Sequence, residues 1–221
     1  MHNKNQCLLM FSGGRDSTIA AKRLAHKFER LTLVTVTSNH LVGIQTVAER
    51  ISQLKSHLPG QTEWLQVEQP VLPPLKSLGN ASCLPCQRAY AIIGAIIAKR
   101  LGVHNLALGY AKYQSDWPEQ SPQATSTLKD ALQRFSLKLH LPVYDLISKA
   151  QAEEELASYE LSIDSLEQKC LRQETNLKIP ANLLKQELKI WGESIVQLLS
   201  DSESISVTIA SNKRIIEVQT I

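Results

Sequence analysis

Apolar and polar positions along this chain follow two periods in turn. Cys7-Leu8-Leu9-Met10-Phe11 is an unbroken apolar run of strand length. Behind it, Ile19, Ala20, Ala21 and Leu24 recur at helical spacing. Arg30–Thr37 is rich in β-branched residues and predicts a second strand. Ile44, Val47, Ile51 and Leu54 predict a helix over Ile44–Leu58, stopped by Pro59-Gly60. Thr62–Val67 predicts a third strand that carries Trp64 and Leu65 into packing. Pro70, Pro73 and Pro74 then force an extended connection. The helix predicted over Ala89–Leu101 is apolar all round from 91 to 98, as a buried helix is, and Gly102 closes it. Asn105–Tyr110 predicts a fourth strand, 111–123 a long loop, Ser126–Leu137 a helix and Leu139–Tyr144 a fifth strand. Strands alternating with helices give an α/β fold: a doubly wound, Rossmann-like parallel sheet with right-handed crossovers. Residues 148–160 and 180–200 are helical in pattern. Ile205–Ile209 and Arg214–Val218 read as short strands around Ser211-Asn212-Lys213, a terminal hairpin.

Composition narrows the class without choosing a chemistry. Of 221 residues, 43% are hydrophobic and 20% charged, the balance of a globular chain with a sizeable core. No apolar run reaches membrane-spanning length, and the polar start, Met1-His2-Asn3-Lys4-Asn5-Gln6, shows no leader pattern. A cytoplasmic protein is the expectation. The net charge of +3 is too small to argue for a nucleic-acid partner. Basic residues crowd the first thirty positions and acidic ones gather from Glu153 to Glu167; solvated helix faces explain both.

The chemistry begins where the first strand meets the first helix, at Ser12-Gly13-Gly14-Arg15-Asp16-Ser17. Two glycines permit positive φ and close backbone approach. The Ser12 and Ser17 hydroxyls and the first N–H groups of the helix make an anion cradle. Arg15 adds positive charge. Asp16 repels an anion unless Mg²⁺ stands between them. Turn and N-cap chemistry alone would explain an isolated Gly-Gly. Here the motif lies at the C-terminal end of the first strand, where open α/β sheets bind ligands.

This stretch resembles the S-G-G-x-D-S signature of the PP-loop ATP pyrophosphatases, over roughly residues 6–145. The Lys-Ser/Thr ending of a Walker loop is absent. The resemblance implies a HUP-type nucleotide-binding domain over 1–147, with a helical extension over 148–221 that ends in the hairpin. It implies that ATP is cleaved between its α and β phosphates. A substrate carbonyl oxygen takes the AMP, and a sulfur or nitrogen nucleophile displaces it. Ser12, Gly13, Gly14, Arg15 and Ser17 would hold pyrophosphate and Asp16 Mg²⁺. Adenine would lie near Thr37 and Ser38, with Gly109 at the end of the fourth strand.

The chain has four cysteines, Cys7, Cys83, Cys86 and Cys170. Cys7 reads as a core residue. Cys83-x-x-Cys86 is expected at a helix N-terminus, which favours thiolate. The pair could be two small half-buried residues, a redox pair or metal ligands. With Cys170 it could hold three irons of a [4Fe–4S] cluster and leave the fourth open, whereas structural Zn²⁺ usually takes four ligands. Cys83-Leu84-Pro85-Cys86-Gln87-Arg88 and Leu106-Ala107-Leu108-Gly109 are similar to the C-x-x-C-x-R and A-L-G stretches of tRNA thiolases within that family. In those proteins a Gly-His-x-x-Asp-Asp type sequence follows; here it is Gly109-Tyr110-Ala111-Lys112-Tyr113-Gln114-Ser115-Asp116.

The second resemblance is to 7-cyano-7-deazaguanine synthases of queuosine biosynthesis, which form a nitrile through an adenylate. Their dense C-terminal cysteine cluster is missing here. Tyr110 or Tyr113 could then stack on a small base, or simply pack. His40 reads as a loop residue. The implied partners are tRNA or a small purine-like substrate and a sulfur donor protein, with a dimer expected. A non-catalytic nucleotide-binding subunit is the reading from another class. Cys83, Cys86 and Cys170 are expected to converge beside the Ser12–Ser17 loop.

Overall fold

In the first strand, β1 (Gln6–Met10), successive side chains enter opposite cores. Leu8 and Met10 join one buried cluster; Cys7 and Leu9, with Phe11 just beyond, join the other. This two-sided burial makes β1 the centre of the fold. The computed structural model describes residues 5–74, 82–172 and 179–215. Helix α1 (Arg15–Ala25) leads to β2 (Arg30–Thr37), a two-residue strand β3 (Leu41–Val42) and helix α2 (Ile44–Leu54). A 3₁₀ turn at Lys55–His57 follows, then β4 (Glu63–Glu68), α3 (Leu84–Leu101), β5 (Asn105–Leu108), α4 (Pro122–Gln133), β6 (Lys138–His140) and α5 (Lys149–Ser158). The chain ends with β7 (Lys169–Cys170), α6 (Ala181–Ser200) and β8 (Ile209–Arg214).

Six strands form one sheet in the order β6-β5-β1-β2-β4-β8, parallel except for β8. The core on one face takes residues of α3, α4 and α6; that on the other takes residues of α1, α2 and α5. The fold is therefore the doubly wound α/β arrangement that the pattern predicts. Leu8, Leu9 and Leu33 are fully enclosed, each contributing about 1.5–3 kcal/mol of burial. Arg23 of α1 makes 2.6 Å ion pairs with Glu155 of α5 and with Asp145 ahead of that helix. The order turns at β1, since the chain proceeds to β2 on one side and returns through β5 on the other. That leaves a crevice at the C-terminal end of β1.

Beyond shifted boundaries, with α4 at Pro122–Gln133 where Ser126–Leu137 is expected and β6 at Lys138–His140 where Leu139–Tyr144 is expected, three expectations change. Helix α3 starts at Leu84 rather than Ala89, because Pro85 lies in the first turn, where its missing N–H costs nothing. Residues 211–213 are strand interior rather than a turn: β8 runs through them as an edge strand and pairs antiparallel with β4. The end of the second predicted terminal strand, 216–218, lies outside the described residues. The third change is the small antiparallel ladder β3–β7, which pairs Leu41 with Cys170.

Candidate active site

The turn after β1 is shaped for an anion. Gly13 has φ +84°, and Gly14 caps α1 with no side-chain hydrogen bond, so no side chain closes the positive end of the helix. Ser17 Oγ and Thr18 Oγ1 donate to the Gly14 carbonyl at 3.1 and 2.7 Å. Ser12 Oγ lies 3.1 Å from Ser17 Oγ and accepts from Gly14 N at 3.2 Å. Thr35 Oγ1 donates to the Phe11 carbonyl at 2.7 Å and receives Trp64 Nε1 at 2.9 Å, bracing the strand end. Gly109 permits β5 to end against α1: a Cβ there would lie 2.8 Å from the Ser17 backbone.

Asp16 and Arg15 face the crevice with different partners. Tyr113 Oη donates to both Asp16 oxygens at 2.8 Å. Burial pushes the Asp16 carboxyl up to about 6, against the opposing Tyr113 hydrogen bond and Arg15 charge; nearby Glu167 adds to the rise. Arg15 Nη1 is 3.9 Å from Glu153. Its Nε is buried without a partner among the described residues, an unmet donor of the kind that a phosphate oxygen satisfies.

A segment without helix or strand, residues 161–168, lies over the loop. Fully buried Arg50 of α2 ties it there. Its Nε reaches the Gly13 carbonyl at 3.4 Å, Nη1 the Ser162 carbonyl at 2.9 Å and Nη2 the Asp164 carbonyl at 2.5 Å. A Cβ on Gly13 would meet the Leu166 carbonyl, and one on Gly14 would stand 2.5 Å from Glu167 Oε2. Gln168 Nε2 donates to the Val36 carbonyl at 2.8 Å. The segment then enters β7, where Leu171 N donates to the His40 carbonyl at 2.9 Å. This ladder carries Cys170 back to the rim of the sheet.

One cavity of about 300 Å³ joins these parts. Ser12, Gly14, Arg15, Asp16, Ser17 and Gly109 line it together with Cys83 and Cys170. Thr37 and Ser38 have other occupations: Thr37 Oγ1 donates to the Val67 carbonyl at 3.3 Å, and Ser38 Oγ bonds His40 Nδ1 at 2.8 Å. On this side Val34, Thr35, Val36 and Leu41 form the wall instead. His40 is buried, and its Nε2 is 4.0 Å from Cys86 Sγ. Tyr110 is buried and donates to Gln87 Oε1 at 2.7 Å. The hydroxyls of both tyrosines are thus engaged within the protein, and Tyr110 lines the cavity.

The cysteines require a correction in their electrostatics. Cys83 is the residue before α3 and Cys86 is in its first turn, yet burial pushes the Cys83 thiol up to about 12 and raises that of Cys86. Buried Glu119 and the other thiols add to the rise at Cys83. Desolvation outweighs the helix terminus, so both are thiols at neutral pH. Cys7 is buried in the core, as its sequence position suggests. Among the described residues no three His, Cys, Asp or Glu side chains are gathered so as to hold a metal ion. This placement of Cys83, Cys86 and Cys170 does not itself supply the ligand set of a [4Fe–4S] cluster or Zn²⁺.

A mostly parallel sheet whose central strand feeds Ser-Gly-Gly-Arg-Asp-Ser into a helix without a side-chain cap makes this an α/β protein with a loop that resembles that of the PP-loop ATP pyrophosphatases. No family model and no curated protein matches the sequence. Among solved structures, the fold is similar to that of a 4-thiouridine synthetase in complex with RNA and with bound ATP. Identity is 19% and the TM-score 0.58, over 94% of this chain and 55% of the synthetase. It is also similar to the U34-tRNA thiolase NcsA from Methanococcus maripaludis with its [4Fe-4S] cluster, at 15% identity and a TM-score of 0.55, over 93% of this chain and 74% of the thiolase. The chain thus spans about half the length of the synthetase. At these identities the shared property is the fold. Among the described residues no helix is long and apolar enough to cross a membrane.

Proposed function

We propose that this chain is an ATP-dependent adenylating enzyme that replaces a carbonyl oxygen by sulfur on a tRNA base. The observation that carries the reading is the single cavity shared by the Ser12–Ser17 loop, the unpartnered Arg15 Nε and the thiols of Cys83 and Cys170. The buried, unpartnered Arg15 Nε and the first turn of α1, whose N-cap makes no side-chain hydrogen bond, support a pyrophosphate group at the loop, with the Glu167 carboxylate that stands against Gly14 moving aside. Asp16 is the residue that would hold Mg²⁺, which supplies charge neutralisation between the phosphates.

In the first half-reaction the acceptor carbonyl oxygen attacks the α-phosphorus of ATP. The bond from that phosphorus to the bridging oxygen breaks, and pyrophosphate leaves. Arg15, the first-turn N–H groups of α1 and the Ser12 and Ser17 hydroxyls stabilise its charge. In the second half-reaction a sulfur nucleophile attacks the activated carbon, and AMP leaves with the former carbonyl oxygen. Sulfur comes from a donor protein, and Cys83, Cys86 and Cys170 would handle it, with Cys83 and Cys170 lining the cavity. Tyr113 keeps Asp16 aimed at the crevice.

The test is incubation of the purified chain with α-labelled ATP, Mg²⁺, a sulfide source and unmodified tRNA. AMP and pyrophosphate should form only with tRNA present, and nucleoside mass spectrometry should show oxygen exchanged for sulfur. ADP and orthophosphate as direct products would refute adenylation. AMP formation with no sulfur gained would refute the choice of nucleophile.

A further inference from the structure

We propose that Trp117 is the stacking wall for the acceptor, an unpaired nucleobase bearing a ring carbonyl, on the β5 side of the crevice. The proposal rests on the adenylation reading, which requires an acceptor carbonyl near the phosphate loop. Three tryptophans differ sharply in setting: Trp64 and Trp191 are 3% and 1% exposed, whereas Trp117 is 36% exposed and lines the shared cavity. A large aromatic face left open beside a reactive site offers the stacking surface that flat heterocycles take.

The position of Trp117 is built rather than loose. It stands between 3₁₀ turns at Lys112–Gln114 and Pro118–Gln120. Its N–H donates to the Gln114 carbonyl at 2.9 Å, and its carbonyl accepts from Gln120 N at 3.0 Å. Pro118 holds it extended, at φ −79° and ψ 133°. The other nearby aromatics are committed elsewhere, with Tyr113 on Asp16, Tyr110 on Gln87 and Tyr90 packed against the core.

The polar groups on this wall favour a carbonyl-bearing base. Gln87, Gln114 and Gln120 line the cavity with Trp117. Gln87 Oε1 accepts from Tyr110, and Gln120 Oε1 accepts from Ala111 N at 3.2 Å. With those oxygens engaged, both amides turn N–H donors to a ligand, and donors match base carbonyl oxygens. The two sides of the crevice then divide the labour. The β2 side, lined by Val34, Thr35 and Val36, is left for the nucleotide, and the β5 side takes the base. Asp16 and the Cys83 and Cys170 thiols line the same cavity.

The enclosure of Trp64 and Trp191 shields them from direct contact with a ligand, and the difference in emission between the whole chain and its Trp117→Ala variant reports on Trp117. The probes are free uridine, an RNA stem-loop with an unpaired uridine-rich loop, and the matching duplex without the loop. The stem-loop should quench the emission where the duplex does not, and Trp117→Ala should weaken stem-loop binding about tenfold or more, the loss of one stacked base. Trp117→Phe, which keeps a ring, should recover most of that loss and guards against a folding artefact. Quenching by the stem-loop at far lower concentration than by uridine assigns the base to RNA; equal potency assigns it to a free nucleoside. No quenching by either probe, or unchanged affinity in Trp117→Ala, overturns the proposal. ATP binding is followed separately by calorimetry. Loss of ATP binding with quenching retained would sink the adenylation reading and leave the stacking wall standing.

Discussion

Replacing Gly13 by alanine should unfold the loop and its cover together, while the same change at Gly14 should mainly abolish phosphate binding. Gly13 sits at φ +84°, where an L side chain costs about 1–2 kcal/mol. Its new Cβ would also press on the Leu166 carbonyl, which is backbone and held by the Arg50 fork nearby. Relief of such crowding costs about 1–3 kcal/mol, so the total is about 2–5 kcal/mol. For a chain of this size each kcal/mol moves Tm by roughly 2–4 °C, which gives a fall of roughly 4–20 °C. Gly14 is different. Its φ of −68° suits alanine, and the Cβ would meet the far end of Glu167, a side chain that can swing away. Thermal melts of the full chain, read by circular dichroism, compare the two variants, and calorimetry follows ATP. A Gly13→Ala protein that melts with the wild type, or a Gly14→Ala protein that is the less stable of the two, would refute the packing of residues 161–168 over the loop.

Asp16→Asn should be more stable than the wild type at pH 7, by about 1–3 kcal/mol. The folded carboxyl titrates at about 6 against 3.8 for the ordinary group, so the folded state binds the extra proton and loses stability as pH rises from about 4 to 6. Urea melts across that range should show the decline in the wild type and none in Asp16→Asn, and a less stable variant would contradict it. Cys83, with its thiol at about 12, should alkylate slowly at pH 7.5 and faster as pH climbs; rapid labelling at neutral pH would show that burial does not govern it. Glu167→Gln removes a negative charge beside Gly14 and near Asp16, so ATP should bind a few-fold more tightly. Weaker binding in calorimetry would instead make Glu167 a partner in holding Mg²⁺.

The strands around the site are legible from the chain because each is buried on both faces. β2 spans Arg30–Thr37, the boundaries that its β-branched run predicts. The Ser12–Ser17 turn is legible because its pattern is local to six residues. What covers the loop is not. Arg50 lies in an amphipathic helix whose pattern reports its apolar stripe and says nothing of a guanidinium buried on carbonyls 112 and 114 positions away. The β3–β7 ladder is two residues long, too short for any period to register. Trp117 sits among Gln, Ser and Pro, so nothing periodic marks it as exposed or enclosed. The thiol reading erred for a related reason: proximity to a helix end is a sequence property, but desolvation by burial and the charge of Glu119 are tertiary ones.

The path from Gly14 to Cys170 has a thermodynamic corollary. Glu167, against the phosphate cradle, and Cys170, in its ladder with Leu41, are three positions apart on one tether, about 10 Å of extended chain. If admitting phosphates moves the backbone at Glu167 as well as its side chain, it pulls on the pairing that fixes Cys170. The two events share a coupling free energy, and linkage makes it reciprocal: whatever factor nucleotide imposes on the cysteine's placement, a change at the cysteine imposes on nucleotide affinity. A blocking group on Cys170 would thus be felt as a change in ATP affinity at a loop it never touches.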